Sequence, residues 1–524
     1  MRSAAASTRG LLALLLLVVL AACSSGQQTP PGRSTAPGGT SDPDSSASSS
    51  AGQGSPGAPG VTEQPTSAWK ISARAAAWGI PWRDQPTPVV SGFTSRASVA
   101  PGESFQLFVS STAPKWRVTA YRMGWYGGLE GAQVWRSGWQ RGVRQPGAIT
   151  TGSTDTPSAP WHPSLTLSTT GWRPGSYLLR LDAAGGANYV PLTVRSTSTA
   201  GKLVLLTPDT NWQAYNDWGG RNLYWGPNGK GDAANRARAV SFDRPYSQGL
   251  GASEYLDRML PVVALAEQLK LPLAYADDVD LEAHPGLLTG AAGVISMGHD
   301  EYWSLAMRKA VTAARDAGTN LAFLGANAVY RRIRLDPSPL GKYRIEVNYK
   351  VASEDPMSRT HPSLTTANWP DPPDADPERS LTGEAYGCFP ASGDLVVEQP
   401  TSWLLAGTGL KRGSRITGAV GPEVDAVAPG LSMPRPLDVV FHSPVGCPGT
   451  PYADATYYVA ASGAGVFDTG TMGWVHALRG GDGKATQGDI RRITSTLLTA
   501  FAQPRAGRAH PALDTVTKAY PSVH

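Results

Sequence analysis

The chain has 524 residues, a formal net charge of +5 and a charged fraction of 17%. This length allows two or three domains with sizeable cores. Its 46 lysine and arginine residues are spread among 41 acidic ones without a basic run, so the sequence shows no footprint of nucleic-acid binding. We therefore expect no nucleic-acid partner.

Residues 1–23 have the pattern of an export signal. Arg2 and Arg9 precede the apolar run "LLALLLLVVLAA", which begins at Leu11. A membrane-spanning helix needs about 20 apolar residues, so this run fits the core of a signal peptide better. It ends in "LAAC" at Cys23, which resembles a bacterial lipobox. We expect export and lipid anchoring through Cys23 to the outer face of the cell membrane; an ordinary signal peptide is the alternative.

Residues 24–66 follow as a tether. Residues 24–60 are almost all Ser, Gly, Pro, Thr, Ala and Gln. Such a composition cannot bury enough apolar surface to offset its ordering entropy, so it predicts a disordered, flexible spacer.

Residues 67–198 are predicted to be all-β. Apolar and polar residues alternate over 103–111, 117–126, 175–183 and 188–196, and Gly- and Pro-rich turns separate these runs. Short alternating strands with turns at this spacing indicate a β-sandwich, which we expect to be immunoglobulin-like.

Residues 199–505 are predicted to form an α/β domain. Apolar strands at 202–208, 293–297 and 320–325 alternate with helical patterns at 261–271 and 304–318. This rhythm predicts a parallel sheet with helices on both faces. Pro, Asp and Gly dominate from about 331 to 450, which we interpret as an insertion. A helix at 489–502 completes the domain, and 506–524 is expected to be a surface tail.

The stretch "GVISMGHDEYWS" is the densest candidate site. The predicted strand stops at Gly298, and His299, Asp300, Glu301 and Tyr302 follow directly. Ligands of open parallel sheets bind beyond the carboxyl ends of the strands, and these residue types suit ligation or acid–base chemistry. The alternative is that the acids only complement the dipole of the next helix.

Other predicted strand ends carry polar residues as well. Asn211 and Tyr215 follow the first strand, and Asn327 follows the strand at 320–325. Convergence of several such ends predicts a pocket. Dinucleotide, Walker, nucleophile-elbow and H-E-x-x-H motifs are absent from the α/β sequence. Cys388 and Cys447 are expected either to pair, as an exported chain allows, or to remain separate thiols.

Several motifs together resemble a known family. They are "TAYRMGWYGG", "TNWQAYNDWGGRNLY", "SFDRPY", "GHDEYWS", "NLAFLGANAVYRRIR" and "LTGEAYG", within residues 85–500. In this order they look like the large (beta) subunit of N,N-dimethylformamidase and its relatives. The resemblance implies a fold like class I glutamine amidotransferases for the α/β part. It also implies a mononuclear iron held by two tyrosines and one glutamate, which hydrolyses a small amide.

The family's ligands carry over only in part. Tyr302 matches one tyrosine ligand and Glu384 is placed to be the glutamate. The other tyrosine position falls near Pro261, which cannot ligate, so the third ligand is unknown; Tyr215, Tyr255 and Tyr275 are the nearby substitutes.

With a metal present, the ion would polarise an amide carbonyl and lower the pKa of a bound water. His299 or Glu301 would then act as general base, and Asn211 or Asn327 would stabilise the oxyanion.

The sequence thus supports two functions. The first is a cell-surface hydrolase of carbon–nitrogen bonds other than peptide bonds, with iron as its cofactor. The second is a non-catalytic envelope protein that binds a glycan or another surface polymer in the same cleft. A small partner subunit and a homo-oligomer both remain open.

Overall fold

The computed structural model describes residues 61–71, 81–247, 249–480 and 484–521. The predicted signal peptide, Cys23 and residues 24–60 of the tether lie outside the described residues. Within the described ranges, no helix has both the length and the apolar character needed to cross a membrane.

The N-terminal region is all-β, as the sequence predicts. Its larger sheet runs in the order Gln64–Pro65, Gly131–Arg136, Lys115–Met123, Gly175–Ala183, Gly186–Val194 and Ser98–Val99, with Gln140–Arg141 beside Lys115–Met123. The smaller sheet consists of Leu165–Ser168, Ser104–Ser111 and Val90–Thr94.

Alternation along these strands explains how the two sheets share one core. In Ser104–Ser111, Phe105 and Leu107 are buried while Gln106 between them is exposed. Both apolar side chains join a cluster that includes Val118 from the larger sheet. The pleat therefore sends one face of each strand inward. The immunoglobulin-like assignment of this region stays a prediction.

The tether prediction is wrong for residues 61–66. Gln64–Pro65 pairs antiparallel with Gly131–Arg136. Glu63 accepts hydrogen bonds from Arg173 (2.7 Å) and Tyr126 (2.7 Å). A two-residue strand next to the ion pairs of one acid leaves no periodic signal in a Pro-rich sequence.

A seven-stranded mixed sheet forms the centre of the α/β part. Its strand order is Leu273–Asp277, Leu203–Thr207, Gly293–Gly298, Asn320–Gly325, Gly465–Asp468, Thr450–Val459 and Leu437–Cys447. The first five strands are parallel, and the last two run antiparallel to their neighbours. The predicted parallel order is thus correct for the strands up to Asn320–Gly325, and the amidotransferase-like assignment stays a prediction.

Helices cover both faces of this central sheet. Leu205 faces a core shared with helices Leu260–Gln268, Gly473–Arg479 and Lys484–Phe501. Leu206 faces a second core shared with Asp278–Ala283 and Leu305–Ala317. Successive residues of a strand point to opposite faces, so a continuous apolar run is needed. The remaining α-helices are Asp209–Tyr215, Ala252–Arg258, Arg379–Thr382 and Val516–Ala519.

The predicted insertion is too long at its C-terminal end. Leu437–Cys447 lies at an edge of the central sheet rather than in an insertion. Pro and Gly around this strand hide its apolar run from a composition-based boundary. Before this strand, the chain adds a four-stranded sheet in the order Ala239–Ser241, Gly341–Val347, Arg331–Ser338 and Tyr302–Ser304. It also adds two strand pairs, Ala385–Cys388 with Val424–Ala426 and Gly393–Val396 with Arg415–Val420. A further small hairpin pairs Ile149–Thr151 with Thr156–Ser158.

The C-terminal segment is not only a surface tail. Val516 is buried in the same core as Leu206. The Thr515 hydroxyl donates to Asp438 at 3.0 Å, and Tyr520 donates to Asp454 at 2.5 Å. A single buried valine in a short polar segment is too weak a pattern to predict this docking.

Cys388 and Cys447 form a disulfide, with their Cα atoms 6.3 Å apart. The bond joins the strand Ala385–Cys388 to the edge strand of the central sheet.

Candidate active site

Gly298 lets the central strand turn into the candidate site. Its φ of +76° lies in the left-handed region, and a Cβ there would come within 2.7 Å of Arg258 Cβ. Only glycine meets both demands without strain. The next residues, from His299 to Tyr302, are all at most 5% exposed, so the turn sends them into the protein rather than into solvent.

The Asp300 side chain stabilises this turn through two hydrogen bonds. It accepts hydrogen bonds from Ser296 Oγ at 2.7 Å and Trp303 Nε1 at 2.6 Å. Burial raises the pKa of Asp300 to about 6 despite these donors. Ser304 then caps helix Leu305–Ala317, as predicted, by accepting from Met307 N at 3.2 Å.

Glu301 is held as an anion by surrounding donors. Tyr215 and Tyr224 donate to its carboxylate at 2.7 and 2.8 Å, and Arg331 Nε donates at 3.1 Å. Burial alone would raise the pKa of Glu301, but Arg331, His299 and the other charges nearby hold it below its ordinary value. Glu301 therefore positions its neighbours and is poorly suited to act as the predicted base.

Tyr302 belongs to the same group of hydroxyls. Its hydroxyl donates to Tyr224 at 2.8 Å and accepts from Lys350 Nζ at 3.1 Å. Burial, and then Glu301 and Tyr224, raise the pKa of Tyr302 well above its ordinary value. Burial, and then Arg331, lower the pKa of Lys350 well below its ordinary value. The phenol thus stays protonated and bonded.

His299 lies between two carboxylates. Its Nε2 is 3.6 Å from Glu301 Oε2 and 3.5 Å from Glu423 Oε2. The imidazole borders a cavity of about 280 Å³, at the lower end of the range for small-molecule sites. The ring nitrogen Nε2 therefore faces two carboxylates at the cavity wall.

Glu423 is the functional candidate that the sequence analysis missed. It lines the same cavity and accepts from Asn327 Nδ2 at 2.7 Å. Burial raises the pKa of Glu423, and His299 opposes that rise while Glu301 adds to it. Its sequence surroundings, "AVGPEVDAV", carry no motif and fall inside the predicted insertion. Only the fold could reveal it.

The two predicted oxyanion donors have different positions. Asn211 lines the cavity, and its side-chain Oδ1 is buried without a hydrogen-bond partner among the described residues. Asn327 donates its side-chain amide to Glu423 and its backbone N–H to Asp425 at 2.8 Å. Asn211 therefore presents, at the cavity, an acceptor without a partner in the described part of the chain, whereas Asn327 holds two acids in place.

Arg258 and Glu254 add charge to the cavity wall, where they pair at 3.2 Å. Tyr215 lines the cavity too and is one of the three suggested substitutes for the missing tyrosine ligand. The two others lie elsewhere. Tyr275 donates to Glu267 at 2.7 Å, and Tyr255 is 2% exposed within the hydrophobic core.

Glu384 lies in a different cluster from Tyr302. Its carboxylate shares a buried space with Asp425 and Asp468, with one oxygen of each within 4.8 Å of the others. No hydrogen bond joins Glu384 to Tyr302 within the described ranges, and the Tyr302 hydroxyl bonds with Tyr224 and Lys350. The structure therefore does not join these two predicted ligands directly, and the mononuclear iron site stays a prediction. A buried acidic triad suited to a metal ion is what the structure offers instead.

Comparison with known proteins gives one extensive match. Residues 117–488 match the family model described as "N,N-dimethylformamidase beta subunit-like, C-terminal". No curated protein matches the chain. A crystal structure of an uncharacterized protein from Bacillus anthracis str. Ames is 12% identical, covers 20% of this chain and 84% of that chain, and has a TM-score of 0.14. A similarity of that size does not bear on the fold of the whole chain.

Proposed function

The chain belongs to the N,N-dimethylformamidase beta subunit-like family, and on that premise we propose that it hydrolyses small amides at the His299 cavity. The observation that carries the proposal is the placement of His299 between Glu301 and Glu423 at the wall of a small cavity. The reaction is cleavage of a carbon–nitrogen bond other than a peptide bond, because a cavity of about 280 Å³ suits a small substrate.

In the proposed mechanism His299 is the general base. It removes a proton from water while the oxygen attacks the amide carbonyl carbon. Glu301 and Glu423 stabilise the imidazolium that results, because each lies within about 4 Å of Nε2, where an opposite charge acts strongly. The Asn211 side-chain amide donates to the oxyanion of the tetrahedral intermediate. His299 then returns the proton to the leaving nitrogen as the carbon–nitrogen bond breaks.

Glu301 supports this base without reacting. Its three donors fix the carboxylate, which lies 3.6 Å from His299 Nε2 and can act on the imidazole through its charge. The Asn327 side-chain amide donates to Glu423 and fixes that carboxylate in the same way. Positioned groups of this kind raise the rate by keeping the base within reach of the attacking water. These steps use only the side chains at the cavity; an iron ion is no part of them.

We also propose that the enzyme acts at the outer face of the cell membrane, anchored through Cys23. The signal-like run and lipobox in residues 1–23 support this location. Fractionation of cells that express the wild type or Cys23→Ala tests it: the variant should leave the membrane fraction, and retention of both proteins there would contradict the anchor.

A panel of small amides tests the activity. Formamide, N-methylformamide, N,N-dimethylformamide and acetamide would be incubated with the purified protein, and the released amine or ammonia measured. His299→Ala should lower kcat/KM by about 100-fold or more, the usual contribution of a positioned base. His361→Ala, an exposed histidine, is the matched control and should leave the rate unchanged.

Equal turnover by wild type and His299→Ala would contradict the proposed base. No turnover of any amide by folded wild-type protein would leave the alternative, a non-catalytic envelope protein that binds a glycan or polymer in this cleft.

A further inference from the structure

The buried acids around Glu384 form a second site, distinct from the His299 cavity. Glu384 follows the short helix Arg379–Thr382, Asp425 lies on Val424–Ala426, and Asp468 ends a strand of the central sheet. Three separate segments thus bring one carboxylate each to a point where their oxygens lie within 4.8 Å of one another. Their exposed fractions are 0%, 4% and 0%.

Their surroundings contain few donors. Neither oxygen of Glu384 and only one oxygen of Asp468 has a hydrogen-bond partner in the described part of the chain. Asp425 receives the backbone N–H of Asn327. None of the three takes part in an ion pair with a described lysine, arginine or histidine. A fully buried carboxylate with both oxygens unpartnered is rare, because its desolvation costs several kcal/mol, of the order of 2–7 even for a neutral polar group.

Close approach of the backbone completes the enclosure. A Cβ at Gly470 would lie 2.3 Å from Glu384 Oε2, and Gly470 has a φ of +54°. Asp454 lies near enough to add to the rise in the pKa of Glu384, after burial, Asp468 and Asp425. The Thr456 hydroxyl, beside Glu384, opposes that rise only in part. The cluster needs either protons or a cation to offset its charge.

We propose that Glu384, Asp425 and Asp468 together bind one hard divalent cation, of the size of Ca²⁺ or Mn²⁺. Carboxylate oxygens suit such ions, and Ca²⁺ takes them at about 2.3–2.6 Å. Two ligands on opposite sides of such an ion are separated by about twice that distance, which matches oxygens that lie within 4.8 Å of one another. None of the three proposed ligands is a tyrosine, so the site's chemistry differs from the tyrosine–glutamate iron site that the family resemblance implies.

The bound ion would also stiffen the neighbouring cavity. Asp425 holds the Asn327 backbone, and the Asn327 side chain holds Glu423. This link makes the three acids positioning residues for Glu423, and it does not depend on the reaction proposed there.

The test uses the full-length protein stripped with EDTA. CaCl2, MnCl2 or MgCl2 is titrated in, and the thermal midpoint and the bound ion per molecule are measured. We expect about one Ca²⁺ or Mn²⁺ per molecule and a midpoint that rises with ion concentration, because a ligand bound only to the folded state stabilises it. Glu384→Gln should weaken binding at least about tenfold, since it removes one charged ligand.

Asp438→Asn is the matched control, because Asp438 is also buried but lies outside the cluster; it should bind the ion as the wild type does. If Glu384→Gln fails to fold, Asp468→Asn is used in its place. A third measurement needs no variant: Mn²⁺ is titrated into the wild type, and electron paramagnetic resonance reports the bound ion.

No bound ion and no midpoint shift in the wild type would overturn the proposal and leave a cluster of protonated carboxyls. Unchanged ion binding by Glu384→Gln would overturn it as well. Both results are read from binding and stability, so they are independent of whether any amide is hydrolysed.

Discussion

Glu301 and Glu384 are both buried, at 1% and 0% exposure, and differ in what surrounds their carboxylates. Glu301 receives two tyrosine hydroxyls and Arg331, and its pKa is lowered. Glu384 has acidic neighbours and no hydrogen-bond partner in the described part of the chain, and its pKa is raised well above the ordinary value. Burial is the same in both, so the partners decide which carboxylate is charged.

Paired substitutions test this comparison most strongly. Glu301→Gln should destabilise the protein by about 3 kcal/mol, because it removes the acid that pairs with the half-buried Arg331 and accepts two buried tyrosine hydroxyls. Glu384→Gln, in EDTA at pH 7, should change stability by less than about 1 kcal/mol, because glutamine resembles the neutral acid. Urea unfolding of both variants measures the difference. Equal costs would show that burial, not the partners, governs these two sites.

Asp438 provides an intermediate case and a pH dependence. It is 3% exposed, accepts from the Thr515 hydroxyl at 3.0 Å, and burial raises its pKa to about 6. The folded state thus keeps a proton that the unfolded chain releases near pH 4, so stability from this group falls as pH rises from about 4 to about 6.

A shift of about two pH units corresponds to about 3 kcal/mol. Wild-type protein should lose that much stability relative to Asp438→Asn between pH 4 and pH 7 in urea unfolding. Asp336→Asn, at an exposed position, is the control and should follow the wild type. A constant difference between wild type and Asp438→Asn across this range would contradict the raised pKa.

Tyr302→Phe should have a small effect on stability. It removes the hydroxyl that donates to Tyr224 and accepts from Lys350, at a net cost of about 1 kcal/mol for a typical hydrogen bond. Differential scanning calorimetry should show a slightly lower thermal midpoint. A loss as large as that of Glu301→Gln would contradict the small contribution expected from the hydrogen bonds of the Tyr302 hydroxyl.

The elements that the sequence predicted well are those with a strong local pattern. Strand Asn320–Gly325 and helix Leu305–Ala317, with Ser304 as its cap and Gly318 beyond its end, match the prediction. A continuous apolar run and a 3.6-residue period are properties of neighbouring residues, so they can be recognised without the fold. The same reasoning placed His299 at the end of a strand.

What the sequence could not reveal depends on distant contacts. Glu423 meets His299 across more than a hundred residues, and neither has a spacing that indicates the other. Glu384 was assigned to an iron site by motif, yet its neighbours, Asp425 and Asp468, come from strands whose pairing no local pattern predicts. The edge strand Leu437–Cys447 was missed because its pairing, not its composition, makes it part of the sheet.

The short strand Gln64–Pro65 has a practical consequence for making this protein. It is an edge strand of the larger N-terminal sheet. Glu63, next to it, accepts hydrogen bonds from Arg173 and Tyr126 and lies 3.9 Å from the buried Arg122. A recombinant fragment cut at residue 67, where the sequence alone places the domain boundary, would lose this acid and leave Arg122 with fewer counter-charges. A fragment that starts at residue 61 keeps Glu63 and its contacts with Arg173, Tyr126 and Arg122. Limited proteolysis should therefore cut the chain before Glu63 and leave Glu63 attached to the folded part.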